Sequence, residues 1–303
     1  MDLDAFEEIF ARVRNWGRWG HDDDRGTLNH VTASHVARAA TLVREGVTVS
    51  LAHDVDTVPG PDNHKPALHY MTRLADAGED QPQVNMDFIG MDFHGKSVTH
   101  LDALCHVNFR GLLYNGVPAE SVLDSSGSRF GSVLTMSEGV VSRGVLLDVP
   151  GHRGVDWLEP GDTIRRAELE QVAAVQGLRL SGADIVFVRT GARRRREVLG
   201  AWNPDSFSAG LYPDVAEWLH ENDVCLLGSD GDSDTRPSPV AEVESPIHAL
   251  ALSAMGMPLV DNLNLEILSS LCKGLARWEF HCSIAPLRVP RGTGSPVNPI
   301  ATF

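Results

Sequence analysis

Three short apolar runs, Val145 to Asp148, Ile185 to Arg189 and Val224 to Ser229, set the narrowest limit on how this chain can fold. Each is too short for a helix and is bounded by Gly or Asp. That pattern fits a strand covered on both faces. Helical periodicity separates them, over Arg166 to Gln176 and over Asp214 to Glu221, where Pro213 and Asp214 suit an opening turn. Buried strands interleaved with helices imply an α/β protein, a mixed β-sheet with flanking helices. Val47 to Leu51, Val98 to Asp102 and Phe280 to Val289 read as further strands. Phe6, Ile9, Phe10 and Val13 recur at helical spacing, with Asp4 and Glu7 as a capping box. Ser34 to Arg44, closed by Gly46, Pro246 to Met255, and Leu263 to Leu271 read as helices too. No repeat or Pro/Ser-rich linker interrupts the chain. Residues 1–303 are therefore expected to form a single domain, with 1–46 as its N-terminal helical arm and loop.

One segment concentrates metal-binding chemistry. Thr99 to His106 carries His100, Asp102 and His106. On an extended chain, alternate residues share a face, so His100 and Asp102 point the same way. His106 has the same parity, or returns from a following turn. Imidazole nitrogen with carboxylate oxygen suits zinc, manganese or iron. The chain has 13 His residues, and a His-x-Asp pair also fits a plain hydrogen-bonded dyad. Cys105 beside His106 raises a catalytic thiolate as a competing reading, although the His-Asp set explains the segment better.

The same segment resembles the signature H-x-G-T-H-x-D-x-P-x-H of the cyclase family, which includes bacterial kynurenine formamidase, isatin hydrolase and certain polyketide cyclases. Thr99, His100, Asp102 and His106 fall on four of its positions. Other blocks follow in order: Trp19-Gly20, Gly26-Thr27-Leu28-Asn29, Arg143 to Asp148, Arg189-Thr190-Gly191, Gly228-Ser229-Asp230, Val260-Asp261-Asn262-Leu263 and Gly292 to Pro296. The resemblance implies a swivelling β/β/α cyclase-like architecture. It also implies a metal-dependent hydrolase of a small cyclic or N-acyl substrate (amide, imide or lactone), acting through metal-activated water. A non-hydrolytic cyclase or dehydratase, or a metal-free binding protein, are the alternatives on that scaffold. The implied cofactor is a divalent metal, zinc or manganese, as one or two ions. Asp102, His106, His248 and Asp261 map onto one ion's ligands, and His100 with Asp102 onto the other's. His106 is implied as ligand or general base, and His248 and Asp261 as ligands or as groups orienting it. His248 also fits a helix histidine satisfied by a carbonyl, and Asp261 a helix N-cap.

Two departures from the signature matter. Lys96 stands where its first His would be, and cannot ligate a metal while protonated. His94, at the same strand parity, is a substitute ligand. On an extended strand Lys96 would face His94, His100 and Asp102. Its ammonium would then take part of one ion's space and leave a one-metal site; a neutral Lys96 base and a solvent-facing lysine are the alternatives. Asp261 replaces a Glu and reaches one methylene less.

Composition narrows the partners. Forty-one acidic against 26 basic residues give a net charge of −15, which argues against nucleic acid or an anionic membrane as partner. The Arg193 to Arg196 run fits a solvated helix start, or an anchor for an anionic substrate. Cys105, Cys225, Cys272 and Cys282 lack metal or redox spacing and fit buried thiols. With no signal-like segment or apolar stretch long enough to span a bilayer, a cytoplasmic protein is expected. Asp230 to Asp234 fails the EF-hand pattern and reads as a strand-end loop. P-loop, serine-elbow and dinucleotide fingerprints have no match. Trp16, Trp19, Phe93, Phe109 and Tyr114 are candidates for the wall of a small-molecule pocket, with Trp16 and Trp19 also able to cover a neighbouring subunit's site. His64 and His69 lie in or beside a Pro-rich loop and could reach the site. The resemblance implies a homo-oligomer, dimer or tetramer.

Overall fold

In the computed structural model, which describes residues 1–75 and 82–303, the three apolar runs are adjacent parallel strands at the centre of one mixed sheet. Numbered in chain order, its strands are β1 (Thr48–Ser50), β2 (His100–Asp102), β3 (Val140–Asp148), β4 (Ile185–Arg189) and β5 (Leu226–Ser229). They continue as β6 (Leu259–Asp261), β7 (Glu279–Ile284), β8 (Gly294–Pro296) and β9 (Ile300–Thr302). The spatial order is β1-β9-β7-β3-β4-β5-β6-β2-β8. β3 to β6 run parallel, and antiparallel strands flank them on both sides.

Alternate side chains of these strands enter opposite cores. Val145, Leu147, Val186, Val188 and Leu227 pack on one face, and Leu146, Ile185, Phe187 and Leu226 on the other. Both faces are dry, which is why the runs are continuously apolar instead of alternating. Helices α1 (Leu3–Val13), α2 (Ala33–Ala40), α3 (Arg166–Val175), α4 (Ala192–Leu199) and α5 (Val215–Glu221) join α6 and α7 (Glu266–Leu275) around the sheet. α6 starts as an α-helix over Pro246–His248 and widens to a π-helix over Ala249–Met255. Among the described residues, no helix is long and apolar enough to cross a membrane.

Several element ends differ from expectation for local reasons. α1 is capped by Asp2, which accepts from the Ala5 amide at 2.9 Å, and not by Asp4. α2 ends at Ala40 instead of running to Arg44. The last long strand stops at Ile284, just before Pro286, which has no amide to donate. The helix expected from Leu263 begins at Glu266, because the Asn262 and Leu263 amides turn back onto Gly231 and Ser229 carbonyls at 2.8 and 2.9 Å.

The N-terminal arm is stapled to the core through its Gly-Thr-Leu-Asn block. The Thr27 amide donates to the Gly256 carbonyl at 2.9 Å, and Thr27 Oγ1 to Cys225 O at 2.8 Å. Trp16 packs edge-on against Phe10 and donates its indole N–H to Ser253 O at 2.8 Å. Trp19 packs against His30. Both tryptophans thus take part in this chain's own packing. Outside the main sheet, Leu68–Arg73 pairs, among the described residues, only with Met86–Gly90, and this strand pair is exposed on both faces.

Gly26 has φ +58°, and a Cβ there would stand 1.9 Å from the Gly256 carbonyl oxygen. Gly26→Ala is therefore expected to destabilise the fold by about 2 kcal/mol or more, read from a urea unfolding midpoint against wild type.

Candidate metal centre

β2 lies between β6 and β8, and its register assembles the site. His100 pairs directly with Asp261 across one ladder, and Asp102 with Gly294 across the other. Cross-strand partners share a face, and so do alternate residues, so His100, Asp102 and Asp261 stand together. After Ala103 the chain turns, with the His106 amide bonded to Ala103 O at 2.9 Å, and His106 comes back over Asp102. His94 arrives from the loop before β2, and His248 from α6. Gly294 makes room for it: a Cβ there would meet the His94 ring at 2.8 Å.

The Asp102 carboxylate is 1 % exposed and ringed by four imidazoles. His94 Nδ1, His100 Nε2 and His106 Nε2 lie 2.8, 3.5 and 3.9 Å from its Oδ1, and His248 Nε2 lies 3.5 Å from Oδ2. None of these nitrogens aims a hydrogen bond at it, so both carboxylate oxygens are buried without a donor. Two groups of ligand atoms each fall within 4.8 Å of one another: His94, Asp102 and His106, and His100, Asp102 and Asp261. A buried anion with no hydrogen bonds is costly unless a cation completes it. The residues present therefore fit a divalent metal.

Surrounding groups turn the imidazoles inward. His100 Nδ1 donates to Val98 O at 2.9 Å, which leaves the Nε2 lone pair facing Asp102. His248 Nδ1 meets Asp234 Oδ2 at 2.6 Å, while Asp234 Oδ1 accepts the Ile247 amide at 2.7 Å. His94 Nε2 meets Thr293 Oγ1 at 3.0 Å, so Nδ1 faces Asp102. Such outer partners fix tautomer and ring orientation in metal sites. Asn262, in the left-handed region at φ 55°, donates from Nδ2 to Gly95 O and Val98 O at 2.7 and 3.1 Å. It pins the loop carrying His94 beside β2.

Charge balance follows from this crowding. Burial opposes ionisation of Asp102, but His100 and His106 outweigh it and hold its pKa well below the carboxylate range. Burial pushes His106 down to about 4, aided by the neighbouring imidazoles. Burial also disfavours charge on His248, yet Asp261, Asp102 and Asp234 overcome it and hold that imidazole well above its usual range. Asp261 is raised by burial, with Asp102 adding repulsion.

The expected site residues are thus gathered, with one in a different place. Residues 91–99 form a loop, not an extended strand. His94 takes the place beside Asp102, while Lys96 turns away and pairs with Asp232, with Asp205 at 3.6 Å. Burial lowers the Lys96 pKa, but Asp232 more than compensates, so it is raised overall, a direction that favours the charged ammonium over a neutral base. Asp261 lies on β6 facing His248 Nε2 at 3.1 Å and caps no helix. His248 is satisfied by Asp234, not by a carbonyl. Cys105 is a buried free thiol, pushed by burial up to about 11, so it is no thiolate nucleophile. Of the aromatic candidates, Phe93 abuts the cluster, 4.5 Å from the His94 ring, whereas Tyr114 is core and Phe109 packs on Phe6 and Phe10. His69 pairs with Asp87 on the outer strand pair, and His64 lines a surface cleft beside His94 and Lys96.

Sequence reasoning passed over Asp230, Asp232 and Asp234 as an ordinary loop. Asp230 accepts the Thr190 amide and hydroxyl and the Gly191 amide, each at 2.7 Å. Asp232 holds Lys96 and Arg236, and Asp234 holds His248. Their position after a central parallel strand, where ligands bind in α/β sheets, was the available signal. A second cleft runs outward from this loop toward α4. It shares Lys96, Asp232 and Asn262 with the cluster's rim but is not lined by the imidazoles around Asp102.

Comparison with known proteins agrees with this geometry. The family model described as Cyclase matches residues 47–233. The crystal structure of a novel cyclase is 31% identical, with a TM-score of 0.86 over 96% of this chain and 100% of that one. Isatin hydrolase A from Labrenzia aggregata, bound to benzyl benzoate, is 22% identical, with a TM-score of 0.58 over 87% of this chain and 94% of that one. Isatin hydrolase A from Ralstonia solanacearum is 21% identical, with a TM-score of 0.59 over 89% and 94%. At those two identities the likeness is one of fold. No curated protein matches the sequence.

Asp234 touches only His248 among the cluster's imidazoles. Asp234→Asn is expected to weaken manganese or zinc binding by about 10- to 100-fold, measured by titration calorimetry, while circular dichroism stays that of wild type.

Proposed function

This chain belongs to the cyclase family, and from that premise we propose that it is a metal-dependent hydrolase opening a small cyclic or N-acyl amide, imide or lactone. The observation that carries the reading is the Asp102 carboxylate, buried with both oxygens lacking a donor inside a ring of four imidazoles. Imidazole and carboxylate donors without a thiolate suit manganese or zinc. His100, Asp102 and Asp261 make the seat for one ion, and His94 with His106 form a second group on Asp102 in which a single bound ion leaves His106 free. Lys96, held on Asp232, competes for neither group.

When bound, the metal would polarise the substrate carbonyl and acidify a water. The chain's own groups do the rest. His100, Asp102 and Asp261 hold their donors on one sheet face, and Asp234 fixes the rotation of His248. His106 is the most open of the four rings around Asp102, with 26 % of its side chain exposed against 20 % for His94, and it is uncharged at neutral pH. Its role in this reading is to accept the proton from the attacking water. His248, poised between Asp234 and Asp261, returns a proton to the leaving nitrogen or oxygen. Lys96, neutralised by Asp232, holds that carboxylate at the rim where the cluster meets the cleft. The exposed strand pair, with Leu68, Tyr70, Met86 and Phe88 each more than 40 % exposed, is the face a homo-oligomer of this protein would bury.

Two measurements test the reading. Manganese- or zinc-loaded protein should hydrolyse members of a panel of aryl lactones, cyclic imides and N-formyl arylamines, and a chelator should abolish turnover reversibly. His106→Ala should lower kcat by about 10²- to 10⁴-fold with metal retained. Because His106 is neutral above a pKa near 4, wild-type kcat should hold through pH 6.5 and fall only as the pH approaches 4. An unchanged kcat in the variant would remove His106 from the proton path.

A further inference from the structure

The cleft that leads outward from Lys96 and Asp232 is walled by α4 on one side and by the loop carrying Trp202 on the other. It holds many ionic groups, yet its cations are already matched. Lys96 pairs with Asp232, and Arg196 with Asp62 and Asp56. Arg193 pairs with Glu197 at 2.8 Å and Arg195 with Glu159 at 3.1 Å. His53 is uncharged at neutral pH, pushed down to about 4 by burial and by Arg193 and Arg196. On the acidic side, Asp230 spends both oxygens on the Thr190–Ala192 turn. Asp54, on the exposed rim, is a further negative charge in the lining.

What remains for a ligand is flat and apolar. Leu158, Pro160 and Ala209 line the cleft with the Trp202 indole. That ring is held by its N–H, which donates to Phe207 O at 2.8 Å, and by the Arg195 guanidinium, which lies over one face 4.8 Å from its centroid. A planar ligand can stack on the opposite face without disturbing an ion pair. A carboxylate would need to break one, and would approach a chain of net charge −15.

We propose that this cleft is the substrate subsite and selects an uncharged planar ring, a cyclic imide, lactam or aryl lactone, over any substrate bearing a carboxylate, with Trp202 as the specificity-determining residue. The proposal rests on the hydrolase reading above and deepens it. In the reaction, water oxygen bonds to the carbonyl carbon, and the ring C–N or C–O bond breaks. The leaving atom takes a proton, and the acid formed ionises. Substrate is thus neutral and product anionic, so a cleft without a free cation holds substrate and releases product. On this proposal the Arg193 to Arg196 run does not anchor an anionic substrate.

The test compares phthalimide with 4-carboxyphthalimide on manganese-loaded wild type, Trp202→Ala and Arg195→Gln. Ring binding is followed separately by tryptophan fluorescence in the manganese-loaded protein. Expected are a kcat/KM at least about tenfold higher for the uncharged ring and, in Trp202→Ala, a KM raised about fivefold or more with kcat within about twofold. A wild-type preference for the carboxylated ring that Arg195→Gln abolishes would overturn the proposal and leave the hydrolase reading intact. Equal efficiency on both rings, with Trp202→Ala unchanged, would overturn it too. If neither ring nor any member of the lactone, imide and N-formyl arylamine panel turns over, but phthalimide still binds more tightly than its carboxylated twin in wild type and not in Trp202→Ala, the cleft assignment stands and the hydrolase reading fails.

Discussion

Asp102 is 1 % exposed, lies on a three-residue strand between two antiparallel neighbours, and receives no hydrogen bond on either oxygen. An ionised carboxylate so placed costs several kcal/mol unless positive charge answers it. Four imidazoles answer it in part, and their crowding explains the opposite behaviour of two of them. His106 sheds its proton easily because burial and its neighbours outweigh Asp102, while His248 keeps one because three carboxylates face it. A divalent cation resolves both at once, by replacing the protons that otherwise balance the cluster.

Much of the remaining structure serves to hold those rings. Gly294 leaves room for His94, Asn262 pins the loop that carries it, and Asp234 fixes His248. The π-helical widening begins directly after His248, in a segment whose residues are all buried. π-bulges recur at functional sites because they re-aim a helix face. The Gly-Thr-Leu-Asn block, in contrast, touches no ligand. It fastens the N-terminal arm under Gly256, so its role is structural.

What could be read from the sequence was whatever local periodicity controls. The central parallel strands, the mixed sheet and the shared face of His100 and Asp102 follow from side-chain alternation. The distant partners His248 and Asp261 came only through family resemblance, since spacing says nothing about which strands become neighbours. Lys96 was misplaced because parity was applied to a segment that is not extended. His94, at the same parity, reached Asp102 all the same, through a loop. The Asp230 to Asp234 run was legible as composition but not as function. Each of its carboxylates is defined by a partner from another element: Thr190, Lys96 and His248. The pairing of Arg193, Arg195 and Arg196 was hidden for the same reason, their counter-ions lying at Glu197, Glu159, Asp56 and Asp62.

The central claim is that Asp102 is a metal ligand. Crystals grown with manganese and measured at two wavelengths across its absorption edge test it most directly. The account predicts an anomalous peak within bonding distance of an Asp102 oxygen, flanked by at least one of the two ligand sets that share it. Manganese-replete crystals with no anomalous density at Asp102, and its carboxylate hydrogen-bonded instead to the surrounding imidazoles, would contradict the account.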